Sequence, residues 1–418
     1  MVEETELILK EEDNYRKTAF GILKAGRPYV EYIKRSPEDG FAVIEKGDLH
    51  TVKSVLLGEK EFEVRREFAM LIEAGILSSP SDTDGRANMD DVYEAVRDWL
   101  KGVTVLESEA SYSTVAAYVV MTWFPFRYDS LPYLRLIGDY GSGKTTTLRA
   151  LGLICYRALN LSALFSPAAL FRLVDNVQGT LMIDEADLKG SGIEAHIVKI
   201  LNHGYSRGIA LVRLNSYGNP EYFQVFGPKV IATRAEFRDT ALESRCLDIR
   251  MKQANAKEMD EMDKVDGVDV LRRAELIRNA LLFWRLAFSE IKSGESIYAG
   301  GSAQASNWYE PRVSQLAKPI FDCTPKLRQN EVTKFFEVVN LGYQEARKNG
   351  PEEQVRRIIR KELKNQNHRL TLAQLYGQLS YKCRVQNSSK KIARIAETLG
   401  CEKKHTRDGA VLWFREGI

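Results

Sequence analysis

Short apolar runs alternate with helical segments through the middle of the chain. Residues 133–137, 180–183, 229–233 and 246–249 are mostly apolar runs of four or five residues, a pattern typical of strands buried in a parallel sheet. After the first run, Leu148, Leu151 and Ile154 recur at helical spacing. Strands that alternate with helices predict an α/β core, in which helices flank a mostly parallel sheet.

The pattern differs on either side of this core. Residues 29–33 and 41–44 suit two strands and residues 61–74 suit a helix, so residues 1–80 are predicted to form a small α+β module. The Ser-, Pro-, Asp- and Gly-rich residues 78–85 are typical of a linker, and residues 88–126 have a helical pattern. Within the core, residues 210–215 and 222–226 are predicted to pair as a hairpin whose tip lies at 216–220.

The loop after the first apolar run fits the phosphate-binding pattern GxxxxGK[ST]. It reads GDYGSGKT from Gly138 to Thr145 and stands between a strand pattern and a helical pattern, as that motif requires. Glycines allow unusual backbone angles and close approach, and helix N-terminal N–H groups favour a phosphate. The residues predicted to bind nucleotide are Gly138, Gly141, Gly143, Lys144, Thr145 and Thr146. Lys144 is expected to reach the β- and γ-phosphates of ATP, and Thr145 is expected to bind Mg²⁺.

An acidic pair, Asp184-Glu185, ends the second apolar run. Asp184 is the second predicted Mg²⁺-binding residue, and Glu185 is the expected activator of the attacking water. A binding site without hydrolysis has no need of the second carboxylate. The alternative is an acidic helix start favoured by the helix dipole. Asp184 follows Lys144 by 40 positions, which leaves room for a strand near 163–165 and a helix near 167–174.

Two later residues complete a hydrolytic site. Thr233 ends the 229–233 run, where a polar side chain can orient the attacking water. Arg245 stands just before the last apolar run, where an arginine is placed to reach the γ-phosphate of a neighbouring copy. The alternative is a surface ion pair between Arg245 and Glu243 or Asp248.

The last residues form a separate basic region. Residues 351–418 carry 15 Lys+Arg against 7 Asp+Glu, a net charge of +8, whereas the rest of the chain has a net charge of −5. Helices at 352–363, 371–380 and 388–399, followed by a hairpin, predict a winged helix that binds DNA. The expected DNA contacts are Lys390, Lys391 and Arg394 on the third helix, together with Asn387 and Ser389, and Lys403, Lys404, His405 and Arg407 on the hairpin. The alternative is a winged helix that contacts only proteins.

Composition adds little beyond this. The chain has 418 residues, 44% of them hydrophobic and 28% charged, as in an ordinary globular protein of two or three domains. Five scattered cysteines without a CxxC pair predict neither a disulfide framework nor a zinc site. A charged N-terminus and the absence of a long apolar stretch predict a cytoplasmic protein.

The order of these motifs resembles an AAA+ ATPase. Within that class, the chain is similar to minichromosome maintenance and superfamily 3 replication helicases. The similarity lies in the glycine-rich phosphate-binding loop, the acidic pair, the hairpin, the strand that ends in a polar residue, and the segment Ser244-Arg245-Cys246-Leu247-Asp248. The resemblance covers about residues 88–330 and implies a hexameric ring with ATP sites between subunits. It also implies DNA contacts by Arg213 and Tyr217 on the hairpin, although the tip lacks the lysine or histidine common there. Residues 310–322 resemble a helical lid, with Arg312 as the sensor arginine.

Three functions are compatible with these motifs. The first is an ATP-driven DNA helicase of replication, with domains at 1–80, 88–330 and 350–418 and with priming left to a separate primase. The second is an ATP-gated DNA-binding switch, such as an initiator, loader or regulator, that does not unwind processively. The third, a small-molecule kinase, is disfavoured by Glu185 and Arg245.

Overall fold

The structure is a computed structural model. It describes residues 6–9, 15–24, 27–34, 39–45, 48–83, 87–161, 167–184, 192–215, 217–237, 239–253, 255, 263–289, 297–298, 309–348, 350–365, 367–380, 383, 387–406 and 409–414. The chain divides into two compact units, Met1–Phe336 and Glu337–Ile418.

The N-terminal part is richer in strands than the sequence pattern predicts. Its described residues contain β1 Glu6–Leu9, β2 Tyr15–Lys17, β3 Gly21–Lys24, β4 Arg27–Ile33, β5 Gly40–Glu45, β6 Asp48–Val52, β7 Ser54–Leu57, β8 Lys60–Glu61 and α1 Arg66–Glu73. Strands β2 to β6 form an antiparallel sheet in chain order, and β1 pairs in parallel with β7. The strands predicted at 29–33 and 41–44 are confirmed as β4 and β5, and the predicted helix begins later than expected, at Arg66.

The linker predicted at 78–85 is wrong for the described residues 78–83, which pack against the α/β core. The Ser78 hydroxyl donates to the Gly152 carbonyl at 3.1 Å, and the Ser81 N–H donates to the Asn279 side chain at 2.9 Å. Polar residues of this kind suit a linker by composition, but here their hydrogen bonds are made within the fold. The first eighty residues therefore belong to the same compact unit as the core.

A buried charge cluster joins the N-terminal sheet to that core. Glu31, in β4, is 3% exposed and forms ion pairs with Arg157 and Arg285. The Tyr156 hydroxyl also donates to its carboxylate, at 2.9 and 3.1 Å. Burial alone would raise the pKa of Glu31, but the two arginines outweigh it and lower the pKa below the ordinary value.

The core is built around one five-stranded parallel sheet. After α2 Met89–Val103 and α3 Glu109–Trp123, the order is β9 Tyr133–Ile137, α4 Lys144–Ile154, β10 Leu159–Leu161, α5 Pro167–Val177, β11 Leu181–Ile183, α6 Gly192–His203, β12 Ala210–Leu214, β13 Pro220–Gln224, β14 Lys229–Thr233, α7 Thr240–Glu243 and β15 Cys246–Arg250. The sheet order is β10-β11-β14-β9-β15, and every pairing in it is parallel. This confirms the predicted parallel sheet flanked by helices.

The strand order separates the two motif strands. Strand β14 lies between β9, which leads into the glycine-rich loop, and β11, which leads into the acidic pair. The strand predicted near 163–165 lies outside the described residues, and the strand that pairs with β11 is β10. Helix α3 is hydrogen-bonded to β14: the buried Tyr118 hydroxyl donates to the Lys229 carbonyl at 2.7 Å.

Strands β12 and β13 pair with each other as the predicted hairpin. The remaining helices of the core region are α8 Val268–Ala287, α9 Pro311–Asp322 and α10 Gln329–Lys348, of which α10 runs across the boundary between the two units.

The C-terminal unit contains α11 Pro351–Lys364, β16 Arg369–Thr371, α12 Leu372–Gln378, α13 Ser389–Thr398, β17 Glu402–Thr406 and β18 Gly409–Trp413. The strands form an antiparallel sheet in the order β16-β18-β17. The three predicted helices and the hairpin are present, and β16 is an additional strand. The helices pack on one apolar cluster that includes Val355, Leu375, Ile392 and Leu412.

Candidate functional site

The glycine-rich loop has the backbone that its sequence predicts. Gly141 and Gly143 adopt left-handed angles, with φ of 72° and 77°, which other residues adopt only at a cost. A Cβ on Gly138 would lie 2.8 Å from the Ser142 hydroxyl and 3.1 Å from the Met251 side chain. Gly143 immediately precedes α4, so the loop opens onto a helix N-terminus, which favours an anion.

Lys144 points into its own loop. Its Nζ donates to the carbonyls of Gly138 and Asp139, each at 2.6 Å. These contacts hold a positive charge inside the turn, beside the backbone that would surround a phosphate. Thr145 is exposed and Thr146 is half-buried on the first turn of α4.

The acidic strand and the polar-ended strand finish at the same sheet edge as the loop. Ile183 pairs with Ile231, so Asp184 follows directly at the carboxyl edge of the sheet. Thr233 pairs with Ile137, and its carbonyl accepts from the Gly138 N–H at 3.4 Å. Parallel strands thus bring Asp184, Thr233 and the loop to one edge. Glu185 lies outside the described residues, and its role stays a prediction.

Thr233 carries an unsatisfied group at this edge. The residue is 1% exposed, and its Oγ1 has no hydrogen-bond partner among the described residues. A buried polar atom without a partner is uncommon and costs stability. The strand that carries this hydroxyl lies between the loop strand and the Asp184 strand, so the unsatisfied oxygen is at the same end of the sheet as the loop.

The oxygen donors at this edge suit magnesium and nucleotide together. Mg²⁺ in phosphate sites takes one or two protein oxygens and completes its coordination with phosphates and water. The Thr145 hydroxyl and the Asp184 carboxylate supply such oxygens. Among the described residues, there is no cluster of three or more His, Cys, Asp or Glu side chains that could hold a metal ion. The five cysteines are free and buried.

Arg245 lies at the opposite end of the strands, where their amino termini are. It precedes Cys246, which pairs with Tyr133 at the start of β9, whereas the loop follows Ile137 at the end of β9. Four strand steps at about 3.3 Å each separate the two ends by about 13 Å. The Arg245 Nη1 donates to the carbonyl and side chain of Asn202, at 2.9 and 2.6 Å.

The predicted alternative for Arg245, an ion pair with Glu243 or Asp248, is wrong. Both carboxylates are taken by Arg135, a fully buried arginine within β9. Its guanidinium donates to Asp248 at 2.7 Å through two nitrogens and to Glu243 at 2.5 and 2.6 Å. Burial lowers the pKa of Arg135, and the hydrogen bonds to the two carboxylates more than offset this and raise it.

Arg312 lies beside Arg245 rather than beside the glycine-rich loop of its own chain. It donates to the Ser244 carbonyl at 3.0 Å and to the Ser244 hydroxyl at 3.1 Å. The Tyr205 ring lies near both arginines: its centroid is 4.7 Å from the Cζ of Arg312 and 5.4 Å from that of Arg245. Burial raises the pKa of the Tyr205 hydroxyl, and the nearby arginines partly oppose this. The structure therefore places Arg245 and the predicted sensor arginine, Arg312, in one cluster.

Lys229 anchors the base of the hairpin. Its side chain is 1% exposed, and Nζ donates to the carbonyls of Gly204, Val225 and Gly227 at 3.2, 2.9 and 2.9 Å. Gly204 precedes the hairpin and the other two follow it. Burial lowers the pKa of Lys229 to about 7. The sequence does not predict this role, because a lysine at the start of an apolar run has no distinctive local pattern.

The outer face of the hairpin is apolar and aromatic. Val212 and Tyr222 are paired across the strands and are 56% and 67% exposed, and Tyr217 at the tip is 87% exposed. Arg213 is half-buried, with its Cζ 4.9 Å from the Phe171 ring centroid. Of the two hairpin residues predicted to contact DNA, Tyr217 is thus fully accessible, while Arg213 packs toward α5.

The basic residues predicted on the C-terminal unit lie on its surface where they are described. Lys390, Lys391 and Arg394 are exposed on α13, and Lys403 and Lys404 are exposed on β17. Arg407 lies outside the described residues.

Asn387 is not a surface contact, contrary to the sequence prediction. It is 6% exposed, and its Nδ2 donates to the Cys383 carbonyl at 2.9 Å. Two residues that the sequence did not single out, Arg369 and Trp413, form a cation–π contact of 5.5 Å on the same unit.

Comparisons with known proteins identify no family. No family model matches the chain, and no curated protein matches it. Similar solved structures include the JCV helicase (18% identity, TM-score 0.31, 62% of each chain covered). The C-terminal region of NrS-1 has 10% identity and a TM-score of 0.35, with 92% of this chain and 95% of that chain covered. Drosophila ORC bound to DNA has 15% identity and a TM-score of 0.22, with 84% of this chain and 97% of that chain covered. The chain thus spans less than two thirds of the JCV helicase chain, and at these TM-scores none of these likenesses bears on function.

Proposed function

We propose that this protein is an ATP-dependent DNA motor of replication whose ATP sites form between neighbouring copies in a ring. The observation that carries the proposal is the placement of the two halves of the site. The phosphate loop, Asp184 and Thr233 lie at one edge of the parallel sheet, and Arg245 and Arg312 lie at the other. One copy alone keeps these halves apart, whereas two copies packed in the same orientation can bring them together.

Each residue has a role in hydrolysis. Lys144 binds the β- and γ-phosphates, and Thr145 and Asp184 hold Mg²⁺, which neutralises phosphate charge when bound. Glu185 accepts a proton from the attacking water, and the Thr233 hydroxyl orients that water. Arg245 of the neighbouring copy stabilises the charge that develops on the phosphate oxygens. The adjacent Arg312 supports Arg245, because both arginines lie near the Tyr205 ring and Arg312 hydrogen-bonds to Ser244, the residue that precedes Arg245.

DNA would be held at two places. The exposed tyrosines of the hairpin can stack on bases, and the basic surface of α13 and β17 can neutralise phosphates as a winged helix does. The wider proposal includes a hexamer, cytoplasmic location and cooperation with a primase or other replication proteins. Within the described residues, no helix has the length and apolar character needed to cross a membrane.

One observation favours the second candidate, an ATP-gated DNA-binding switch. The described hairpin tip and outer face, which include Val212, Leu214, Tyr217 and Tyr222, present apolar side chains instead of the basic ones that grip a phosphate backbone. Arg213 is turned onto Phe171. A protein with this surface could use ATP to assemble on DNA without moving along it.

The two candidates are separated by measuring ATP hydrolysis and forked-duplex unwinding together, with and without single-stranded DNA. The motor predicts DNA-stimulated hydrolysis and strand separation, both lost in Glu185→Gln and in Lys144→Ala. The switch predicts that ATP tightens duplex binding, that Glu185→Gln binds DNA at least as well as wild type, and that no strand separates.

Sharing of the site between copies has its own test. Arg245→Ala keeps an intact phosphate loop, and Lys144→Ala keeps an intact arginine, so each variant alone should be inactive. When the two variants are mixed in equal amounts, about a quarter of the interfaces would combine an intact loop with an intact arginine. Hydrolysis should then partly recover. Wild type mixed with Arg149→Ala, an exposed arginine paired with Asp266, is the matched control. No recovery in the variant mixture would show that Arg245 does not act between copies.

A further inference from the structure

An arginine that the sequence did not single out lies beside the phosphate loop of its own chain. Arg234 directly follows Thr233, whose carbonyl accepts from the Gly138 N–H. The Cζ of Arg234 lies 3.8 Å from the ring centroid of Tyr140, which belongs to the loop and is 72% exposed. Arg234 is exposed as well. The guanidinium therefore lies against an aromatic face of the loop, at the surface of the protein.

Such a contact is easily exchanged. An exposed cation–π contact shifts an equilibrium by only about twofold to fivefold. A guanidinium that binds a phosphate forms charge-assisted hydrogen bonds, often two in parallel, and these are considerably stronger. A phosphate group placed at this edge of the sheet would thus outcompete the Tyr140 ring for Arg234.

The position of Arg234 selects one phosphate. The loop N–H groups and the start of α4 surround the β-phosphate in a site of this kind. Thr233 and Asp184 end neighbouring strands on the side where the γ-phosphate and the attacking water lie in the proposed mechanism. Arg234 stands one residue beyond Thr233 on that side, whereas Arg312 is at the opposite edge of the sheet and cannot serve the same nucleotide.

We propose that Arg234 leaves the Tyr140 ring and binds the γ-phosphate of ATP held by its own chain, so that the site distinguishes ATP from ADP. This inference rests on the proposed nucleotide site. Tyr140 is then one contact that Arg234 keeps in the absence of a γ-phosphate and gives up when ATP binds. The consequence is a preference for the triphosphate that is built within one copy, independent of the arginines that a neighbour supplies.

The test is the affinity for Mg²⁺-ATPγS and Mg²⁺-ADP, measured by displacement of a fluorescent ADP. Arg234→Ala should weaken ATPγS binding about tenfold and change ADP binding less than twofold. Arg234→Lys should restore part of the loss, because it keeps the charge but not the bidentate geometry. Tyr140→Ala should bind ATPγS as well as wild type or up to about fivefold more tightly, since the competing contact is gone.

Arg65→Ala is the matched control, because Arg65 is also exposed and its Cζ also lies over an aromatic ring, 4.5 Å from the centroid of Phe68. It should change neither affinity. Equal losses of ATPγS and ADP binding in Arg234→Ala, or no loss of either, would overturn the inference. Lys144→Ala separates this from failure of the proposed function: if it binds both nucleotides like wild type, the nucleotide site itself is wrong.

Discussion

Replacement of Glu31 by alanine removes the one carboxylate that the described structure places between two buried arginines. Arg157 and Arg285 are only 7% and 6% exposed at their side chains. Each keeps a backbone partner, the Phe20 carbonyl for Arg157 and the Trp123 carbonyl for Arg285. Neither carbonyl carries a full charge, so the variant leaves two cations in a low-dielectric interior without an anion.

The expected cost is large. Removal of one partner from a buried ion pair typically costs about 3–5 kcal/mol. Because one carboxylate here serves two arginines, the upper value of about 5 kcal/mol is the appropriate expectation, against a total stability of about 5–15 kcal/mol for a typical protein. The matched surface variant is Glu67→Ala. Glu67 is 62% exposed and pairs with Arg65 at 3.3 Å, an interaction worth less than about 1 kcal/mol.

Denaturant unfolding of the full chain measures the free energies of unfolding of Glu31→Ala and Glu67→Ala against that of wild type. A second variant separates charge from packing: Glu31→Met combined with Arg157→Met and Arg285→Met should recover at least half of the loss, because buried ion pairs are often replaceable by apolar groups. A Glu31→Ala variant as stable as Glu67→Ala would refute the role given to this cluster.

The dependence on pH has a definite sign. The pKa of Glu31 is lower in the folded chain than in the unfolded one, so the carboxylate contributes stability above the unfolded pKa, near about 4.3. That contribution is lost as the pH falls through the lowered folded value. The difference between wild type and Glu31→Ala should therefore be constant from pH 7 to 5 and shrink only in more acidic solution.

Three further predictions concern other residues. Thr233→Val should reduce the rate of hydrolysis about tenfold to a hundredfold, while nucleotide affinity changes less than about threefold and stability does not fall, since an unsatisfied hydroxyl is removed. Burial lowers the pKa of Lys229 to about 7, so between pH 7 and 9 the unfolded chain binds more protons than the folded one. The free energy of unfolding of wild type, relative to Lys229→Met, should then rise by about 1 kcal/mol per pH unit, and a falling difference would contradict the assignment. Alanine at Lys390, Lys391 and Arg394 should weaken DNA binding and reduce the slope of log affinity against log salt by about 3, whereas an unchanged slope would exclude α13 as the DNA surface.

The parts of the fold that depend on local pattern could be predicted from the sequence. The strands at 133–137, 229–233 and 246–250 and the glycine loop follow from apolar runs and from the backbone freedom of Gly141 and Gly143. A parallel sheet necessarily brings the carboxyl ends of its strands to one edge. The apolar runs are therefore enough to predict that Asp184, Thr233 and the loop share one end of the sheet, but not which strands are neighbours.

The rest depends on contacts distant in sequence. Arg135 sits inside an apparently apolar run, and its two carboxylate partners are 108 and 113 residues away. The position of Arg312 follows from how α9 packs at the amino edge of the sheet, which no local pattern encodes. Likewise, Asn387 precedes a helix as an exposed residue would, yet its amide is buried against the Cys383 carbonyl.

In the proposed shared site, the separation of the glycine-rich loop and Arg245 by the full length of β9 constrains how copies can assemble. A contact that joins the loop end of one copy to the arginine end of the next is heterologous. Each copy therefore uses two different surfaces, one for each neighbour. In an open row, one end copy has a loop without an arginine and the other an arginine without a loop, so the row always has one complete site fewer than it has copies. Only closure gives every loop an arginine, and hydrolysis per copy should then rise with protein concentration until closed assemblies dominate.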